Sequence, residues 1–278
     1  MKTGVKILFK SGFFCSGLVL FLLVVGFAVI YPAVNHADPF EMVAMAFQPP
    51  QEGIPLGTDN FGRNLLLELA HGTRTSLQVG FAAGVIATLI GLFIGLLSGY
   101  RGGLLDNLLT TFTNMFIVIP SFIILVLVSV SLNSRNVALT SAIIGLTCWP
   151  WTARAVRAQT SSLRNRDHVN IARITGFSTS RIIMTEILPY IMSYVVMAFI
   201  IQLASGILAE ASISMLGLGP LNTVSLGVML NWALVFEAPA SGAWWTFLPP
   251  AGVIGAITFS LYMMNLGMDE IFNPKIRS

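Results

Sequence analysis

Few residues in this chain of 278 could do covalent chemistry. The histidines are His36, His71 and His168, and a metal centre wants three or four converging nitrogen, sulfur or carboxylate ligands. The membrane topology argued below puts them on two sides, so they form no cluster. Cys15 and Cys148 lie in apolar runs, where a free thiol packs as a small hydrophobe. A phosphate-cradling loop needs G-x-x-x-x-G-K-[ST], and no lysine of this chain follows a glycine. Energy for any active work would therefore enter through another protein or an ion gradient. Glu210 closes a long apolar run, and an acid within a membrane segment is a functional candidate by default. It stands some 20 residues beyond Pro189, roughly 30 Å along a helix. That depth is near an interface, where an acid can equally be solvated or cap a neighbouring helix. A proton relay would need further acids in the apolar runs, and there are none.

The elements that position these residues follow from composition. Hydrophobic residues make up 55% and charged residues 10% of the chain, against roughly a quarter charged in soluble domains. Mean hydropathy is +0.81. These values exclude an ordinary soluble enzyme, a disordered tail and a disulfide-rich secreted module. A net charge of +3 is no nucleic-acid footprint. Charge-free runs cover 11–37, 75–100, 107–134, 136–153, 187–209, 211–236 and 238–268, and a helical span needs about 20 apolar residues. The first run follows Lys2, Lys6 and Lys10 but is too long for a signal peptide and lacks an A-x-A site. It reads as an uncleaved span.

Charge sorting sets the number of spans. With six, at about 12–31, 76–99, 112–132, 137–153, 188–213 and 246–268, and a cytoplasmic N-terminus, only Arg63, Arg74 and Arg135 fall outside. The other basic residues lie on the cytoplasmic side, as the positive-inside rule expects. A seventh span at 211–236 would export Lys275 and Arg277, and Gly217, Gly219, Pro220 and Gly227 would interrupt it. The chain thus divides into an N-terminal tail with the first helix (1–31), an extracytoplasmic segment (32–75), a core of five spans (76–268) and a cytoplasmic tail (269–278). Within the core, 154–186 is a polar inner loop. The segment 214–245, with Trp232, Trp244 and Trp245, is an outer re-entrant or surface loop. Gly80, Gly84, Gly91, Gly95 and Gly99 recur on one face of the second span and predict close helix packing.

The inner loop carries the sharpest pattern. Asp167-His168-Val169-Asn170-Ile171-Ala172-Arg173-Ile174-Thr175-Gly176-Phe177 reads as a short amphipathic helix ending at a glycine turn. A second helix through Arg181 then leads to Glu186-Ile187-Leu188-Pro189. Gly176 suits a sharp corner, and Pro189 suits the start of a helix, where its missing N–H costs little.

This segment resembles the EAA loop of ABC-importer permeases: E-A-A, three residues, Gly, nine residues, I-x-L-P. Ala172, Gly176, Leu188 and Pro189 match, while Asn170-Ile171 and Glu186 depart from the pattern. Leu56-Gly57-Thr58-Asp59-Asn60-Phe61-Gly62-Arg63 resembles the L-G-T-D-x-x-G-R signature of dipeptide/oligopeptide/nickel permeases. Gly72-Thr73-Arg74-Thr75-Ser76-Leu77 is similar to their G-x-R-x-S-L. Glu210-Ala211-Ser212 with Gly217-Leu218-Gly219 is similar to their E-A-S…G-L-G block. Trp149-Pro150, Ala153 to Arg157 and the tail from Asp269 to Pro274 also fit, in family order. Together these identify a C-type permease subunit of that family.

The resemblance implies an all-α type I importer fold with about six transmembrane helices and a cytoplasmic coupling helix. It implies a heteromeric complex in the inner membrane: a second homologous permease, two cytoplasmic ABC ATPases that bind ATP and Mg, and an extracytoplasmic substrate-binding protein. The chain itself would hold no cofactor and no metal, contact membrane lipid and bind no nucleic acid. Coupling to the ATPases would fall to Asp167, Asn170, Ala172, Arg173, Gly176, Phe177, Arg181, Leu188 and Pro189. Asp59, Arg63 and Glu210 are candidates for binding-protein docking or an outer gate. Short peptides are the expected cargo, with nickel or oligosaccharides as alternatives. A self-sufficient secondary transporter is a further alternative, and it would transport alone.

Overall fold

The long apolar runs fold as helices, which satisfy their backbone groups without water. The computed structural model describes Phe9, residues 11–131 and 135–272. Lys2, Lys6, Lys10, Pro274, Lys275 and Arg277 lie outside the described residues. In chain order the α-helices are α1 (Gly12–Val34), α2 (Leu65–Arg101), α3 (Gly103–Val118), α4 (Ser121–Ser131), α5 (Val137–Leu163), α6 (Asp167–Ile174), α7 (Thr179–Ile182), α8 (Leu188–Met215), α9 (Leu226–Val235) and α10 (Leu248–Phe272). Isolated bridges are the only β pairing among the described residues. The fold is all-α and polytopic.

α1, α2, the run Thr179–Met215 and the run Trp244–Ile271 are each long and apolar enough to cross a membrane, with the bent pair α3–α4 as a fifth. α5 corresponds to the remaining predicted span. Its 27 residues reach about 40 Å, and it continues ten residues past the expected end at 153. α9 has 10 residues, about 15 Å, half the hydrocarbon thickness.

Three of the boundaries that differ from the sequence expectation have a plain physical reason. α2 begins at Leu65 rather than 76, because the Asn64 side chain caps it by accepting from the N–H groups of Leu66 and Leu67. Buried Leu65, Leu67 and Leu69 then anchor the first turns. The single span expected at 112–132 is instead two helices bent by 78°. Pro120 lacks an N–H and pushes Ile119 into extended geometry (φ −82°, ψ 121°). α8 ends at Met215 in a Schellman cap, with Leu218 N–H on Ile213 C=O and Gly217 N–H on Ser214 C=O.

α2 is the central helix. Its glycine row divides between two partners: Gly80 and Gly84 lie against Ile207 and Leu203 of α8, and Gly91, Gly95 and Gly99 against α5. A Cβ on Gly95 would sit 2.7 Å from Ala153 O and Val156 Cβ, so these glycines set the distance between helices, as in small-xxx-small packing. α1 docks on α10 the same way, through Gly17 against Ser260 and Gly267 against Phe14. Ser11, the cap of α1, also donates to Glu270 at 3.0 Å.

Candidate functional site

At one end of the bundle, α6 lies across the feet of α2, α5 and α8. Val169 and Ala172 are buried in a cluster with Tyr100, Val156, Ile182, Ile187 and Ile191. Turning those two inward leaves the other face outward: Ile171 is 61% and Ile174 86% exposed, with Arg173 exposed beside them. Asp167 occupies the first turn and Arg173 the last, the arrangement favoured by the helix dipole. Asn170 accepts from Arg173 Nη1 at 3.3 Å and donates to Asn165 C=O.

Gly176 ends α6 in a second Schellman cap, with φ +80°. Phe177 N–H reaches Ala172 C=O at 3.0 Å and Gly176 N–H reaches Arg173 C=O at 3.1 Å. Phe177 is then covered by the Arg181 guanidinium, 3.9 Å from its ring centroid. Ser178 caps α7, and a π-helical turn, Ile183–Ile187, joins α7 to α8. Pro189 explains that turn. It has no N–H to give Thr185, and Leu188 N–H bonds instead to Ile183 C=O, five residues back. All nine residues expected at the coupling element are therefore brought to this end. Ile171 and Ile174 were not anticipated, although their 3.6-residue phase against Val169 and Ala172 is readable.

The same end is tied by Arg157 of α5, whose Nε and Nη2 grip both oxygens of Asp106 on α3 at 2.6 and 2.7 Å. Ser98 of α2 donates to that carboxylate as well. Arg154 donates to Asn114 at 2.8 Å. Arg154 and Arg157 are thus committed to contacts with α3.

At the opposite end, the L-G-T-D-x-x-G-R stretch is a buried knot. Asp59 Oδ1 accepts the N–H groups of Phe61 and Arg63, and its Oδ2 accepts Arg63 Nε at 2.8 Å and Nη2 at 2.5 Å. The Arg63 guanidinium lies 4.3 Å from the Phe61 centroid and 4.1 Å from that of Trp232, in the corner where the two rings meet edge to face. Arg63 Nε also lies 3.0 Å from Glu68 Oε1. That N–H points to Asp59, so the contact is an ion pair without hydrogen-bond geometry, and among the described residues neither Glu68 oxygen has a donor. Thr58 completes the knot by donating to Met45 C=O, and Trp245 Nε1 donates to Thr58 C=O. Asp59 and Arg63 are buried, so neither side chain is presented to a docking partner in this conformation. Glu68 was not anticipated, since the sequence leaves it within the segment 32–75, ahead of the expected start of the span.

Glu210 is fully buried where α2, α8 and α9 meet. Ser76 donates to its Oε2 at 2.8 Å, and Ser214 and Ser225 each donate to Oε1 at 2.6 Å. Leu226 N–H donates in turn to Ser76 Oγ, so one carboxylate fastens α9 to two long helices. Glu210→Ala should therefore destabilise the chain by about 3 kcal/mol, at ~1 kcal/mol per hydroxyl bond lost. Glu210→Gln, which keeps one acceptor oxygen, should cost less. Thermal melts of detergent-solubilised protein check this, and equal melting of Glu210→Ala and wild type would remove the fastening role.

A bundle of apolar helices bearing a helix–turn–helix outside the spans, with no nucleotide loop, has the architecture of a transport permease. The family model for the binding-protein-dependent transport system inner membrane component matches residues 91–278. The oligopeptide transport system permease protein of Escherichia coli K12 is 33% identical over 268 residues, 94% of this chain and 87% of that protein. Its counterpart in Mycobacterium tuberculosis H37Rv is 32% identical over 262 residues, 93% of this chain and 89% of that protein. The chain belongs to the binding-protein-dependent inner-membrane component family, as an ABC-importer permease of the dipeptide/oligopeptide/nickel type. It is a multi-pass inner-membrane protein, and the family is a permease component that is not itself catalytic.

Proposed function

We propose that this chain is one of two permease subunits of an ATP-driven importer for short peptides. It supplies half of the translocation path and seats on cytoplasmic ATPases through α6. Both termini and α6 face the cytoplasm, while residues 35–64 and the segment around α9 face outward toward an extracytoplasmic binding protein. The observation that carries the reading is the split of α6. Val169 and Ala172 key it to the base of α8, while Ile171, Ile174 and Arg173 face away from the bundle. An amphipathic helix held on one side and open on the other is suited to a groove on a second protein. The similarity to oligopeptide permeases over nearly the whole chain supports peptide cargo. ATP binding can move the spans only through contacts that differ between two states, and the cap at Gly176 and the turn before Pro189 are where such contacts would act.

The test is to tag the chain, extract it from its own membrane in mild detergent and identify its companions by mass spectrometry. A second permease with one or two P-loop ATPases is the expected result. A single-chain preparation that still transports would sink the proposal.

A further inference from the structure

The Gly72-to-Leu77 stretch leaves one residue without a task inside the fold. Gly72 lets α2 approach Ser225 and Leu226, Ser76 holds Glu210, and Leu77 packs against the core. Arg74 is exposed, and no carboxylate lies within ion-pair distance of it among the described residues. It stands at the head of a groove of about 380 Å³ between α1 and α2, floored by Leu203 of α8. Below the arginine the lining becomes apolar: Leu77 and Phe81 on α2 face Phe21, Val25 and Val29 on α1. Gln78, one turn from Arg74, is the other polar residue of the lining.

Depth identifies what this groove meets. Arg74 and Arg101, at the end of α2, are separated along the helix by about 40 Å, the thickness of a bilayer with its headgroups. Each arginine therefore lies at a headgroup layer. The apolar part of the groove runs from Arg74 to Phe81, about 10 Å toward the membrane centre. Over that length the groove is narrow and apolar below the arginine, as an alkyl chain requires.

We infer that the groove between α1 and α2 holds one membrane glycerophospholipid, with its phosphate on Arg74 and an acyl chain along Leu77, Phe81 and Val25. The charge complementarity is that of a lone guanidinium at headgroup depth with a phosphate monoanion. The lipid would fill the space between α1, whose outer face is largely exposed, and the core.

The test is native mass spectrometry of the full-length chain, extracted with its accompanying subunits, delipidated and titrated with dioleoylphosphatidylglycerol. Wild type should retain one lipid more tightly than Arg74→Ala by about fivefold, the worth of one basic residue at a lipid surface. Arg74→Lys should stay near wild type, and Val29→Trp, which fills the groove and keeps the arginine, should lose the bound lipid. Dioleoylglycerol, lacking phosphate, should bind wild type and Arg74→Ala alike. Equal phosphatidylglycerol retention by wild type, Arg74→Ala and Val29→Trp would overturn the site. So would quantitative cross-linking of a Val29→Cys variant to another subunit, which would make the groove a subunit seam. If Arg74→Ala does not assemble, Val29→Trp carries the same decision. Lipid retention is read without transport, so the result stands apart from the peptide-import proposal.

Discussion

A Gly176→Trp variant should insert and assemble, yet lose peptide uptake by more than about tenfold, which requires a shift of only ~1.4 kcal/mol. Gly176 sits at φ +80°, and no atom of the described residues lies within 4 Å of where a Cβ would stand. No clash in the core is involved. The cost is conformational, about 1–2 kcal/mol for an L-residue held in the left-handed region, and it falls on the cap that orders Ala172, Arg173 and Phe177. Tryptophan adds bulk beside Ile174, on the face proposed to meet the ATPase. A graded series separates the two effects. Gly176→Asn, whose side chain tolerates left-handed backbone, should transport nearly normally, Gly176→Ala should show the conformational cost alone, and Gly176→Trp should show both. Uptake of a labelled tripeptide and ATP hydrolysis are measured on the same preparations. Uncoupling appears as hydrolysis without uptake. Normal uptake by Gly176→Trp would dismiss this corner as the coupling element.

What could be read from the sequence here was punctuation. Glycine and proline at fixed spacing located α6, its turn and the start of α8, because both residues act through their own backbone. The π turn before Pro189 was not readable as such. It depends on how the lost Thr185 bond is replaced, and that is settled by the packing of Ile182 and Ile187. Two prolines make the same point. Pro120 breaks a predicted span while Pro150 sits inside α5. Both remove an N–H, but Pro120 is exposed, whereas Pro150 is buried next to Trp149 on a helix clamped against the glycines of α2. Tertiary contact decides which proline bends its helix, and a single sequence carries no record of that contact.

The outer knot was half legible. Asp59 and Arg63 are four residues apart, and a pairing between them can be read from spacing. Glu68 and Trp232 reach the same guanidinium from α2 and α9, and nothing local announces them. The early start of α2 was masked for a related reason, since Glu68 and Arg74 ended the charge-free run although Asn64 is a good cap. Hydropathy finds where a helix can meet lipid. It does not find where a helix continues beyond it.

That three-charge arrangement leads to the largest stability effect expected in this chain. Among the described residues Arg63 is the one cation paired with two buried carboxylates, Asp59 and Glu68. Arg63→Ala leaves both without it, and removing one partner of a buried ion pair costs about 3–5 kcal/mol. For a chain of this size that corresponds to a melting temperature lower by about 10 °C. Arg63→Lys should recover little, because an ammonium cannot grip Asp59 through two nitrogens while also packing on Phe61 and Trp232. Glu68 offers the internal control. Its oxygens have no hydrogen-bond donor among the described residues, so Glu68→Gln alone should be mild, and adding it to Arg63→Ala should return part of the lost stability by removing one unpaired acid. Asp59→Asn should be worse than Glu68→Gln, because Asp59 also orders the loop through two backbone N–H groups. Thermal melts in detergent, with limited proteolysis of residues 35–64, read all five variants. The ion-pair account fails if Arg63→Ala melts within about 2 °C of wild type, less than 1 kcal/mol, or if Glu68→Gln deepens its loss.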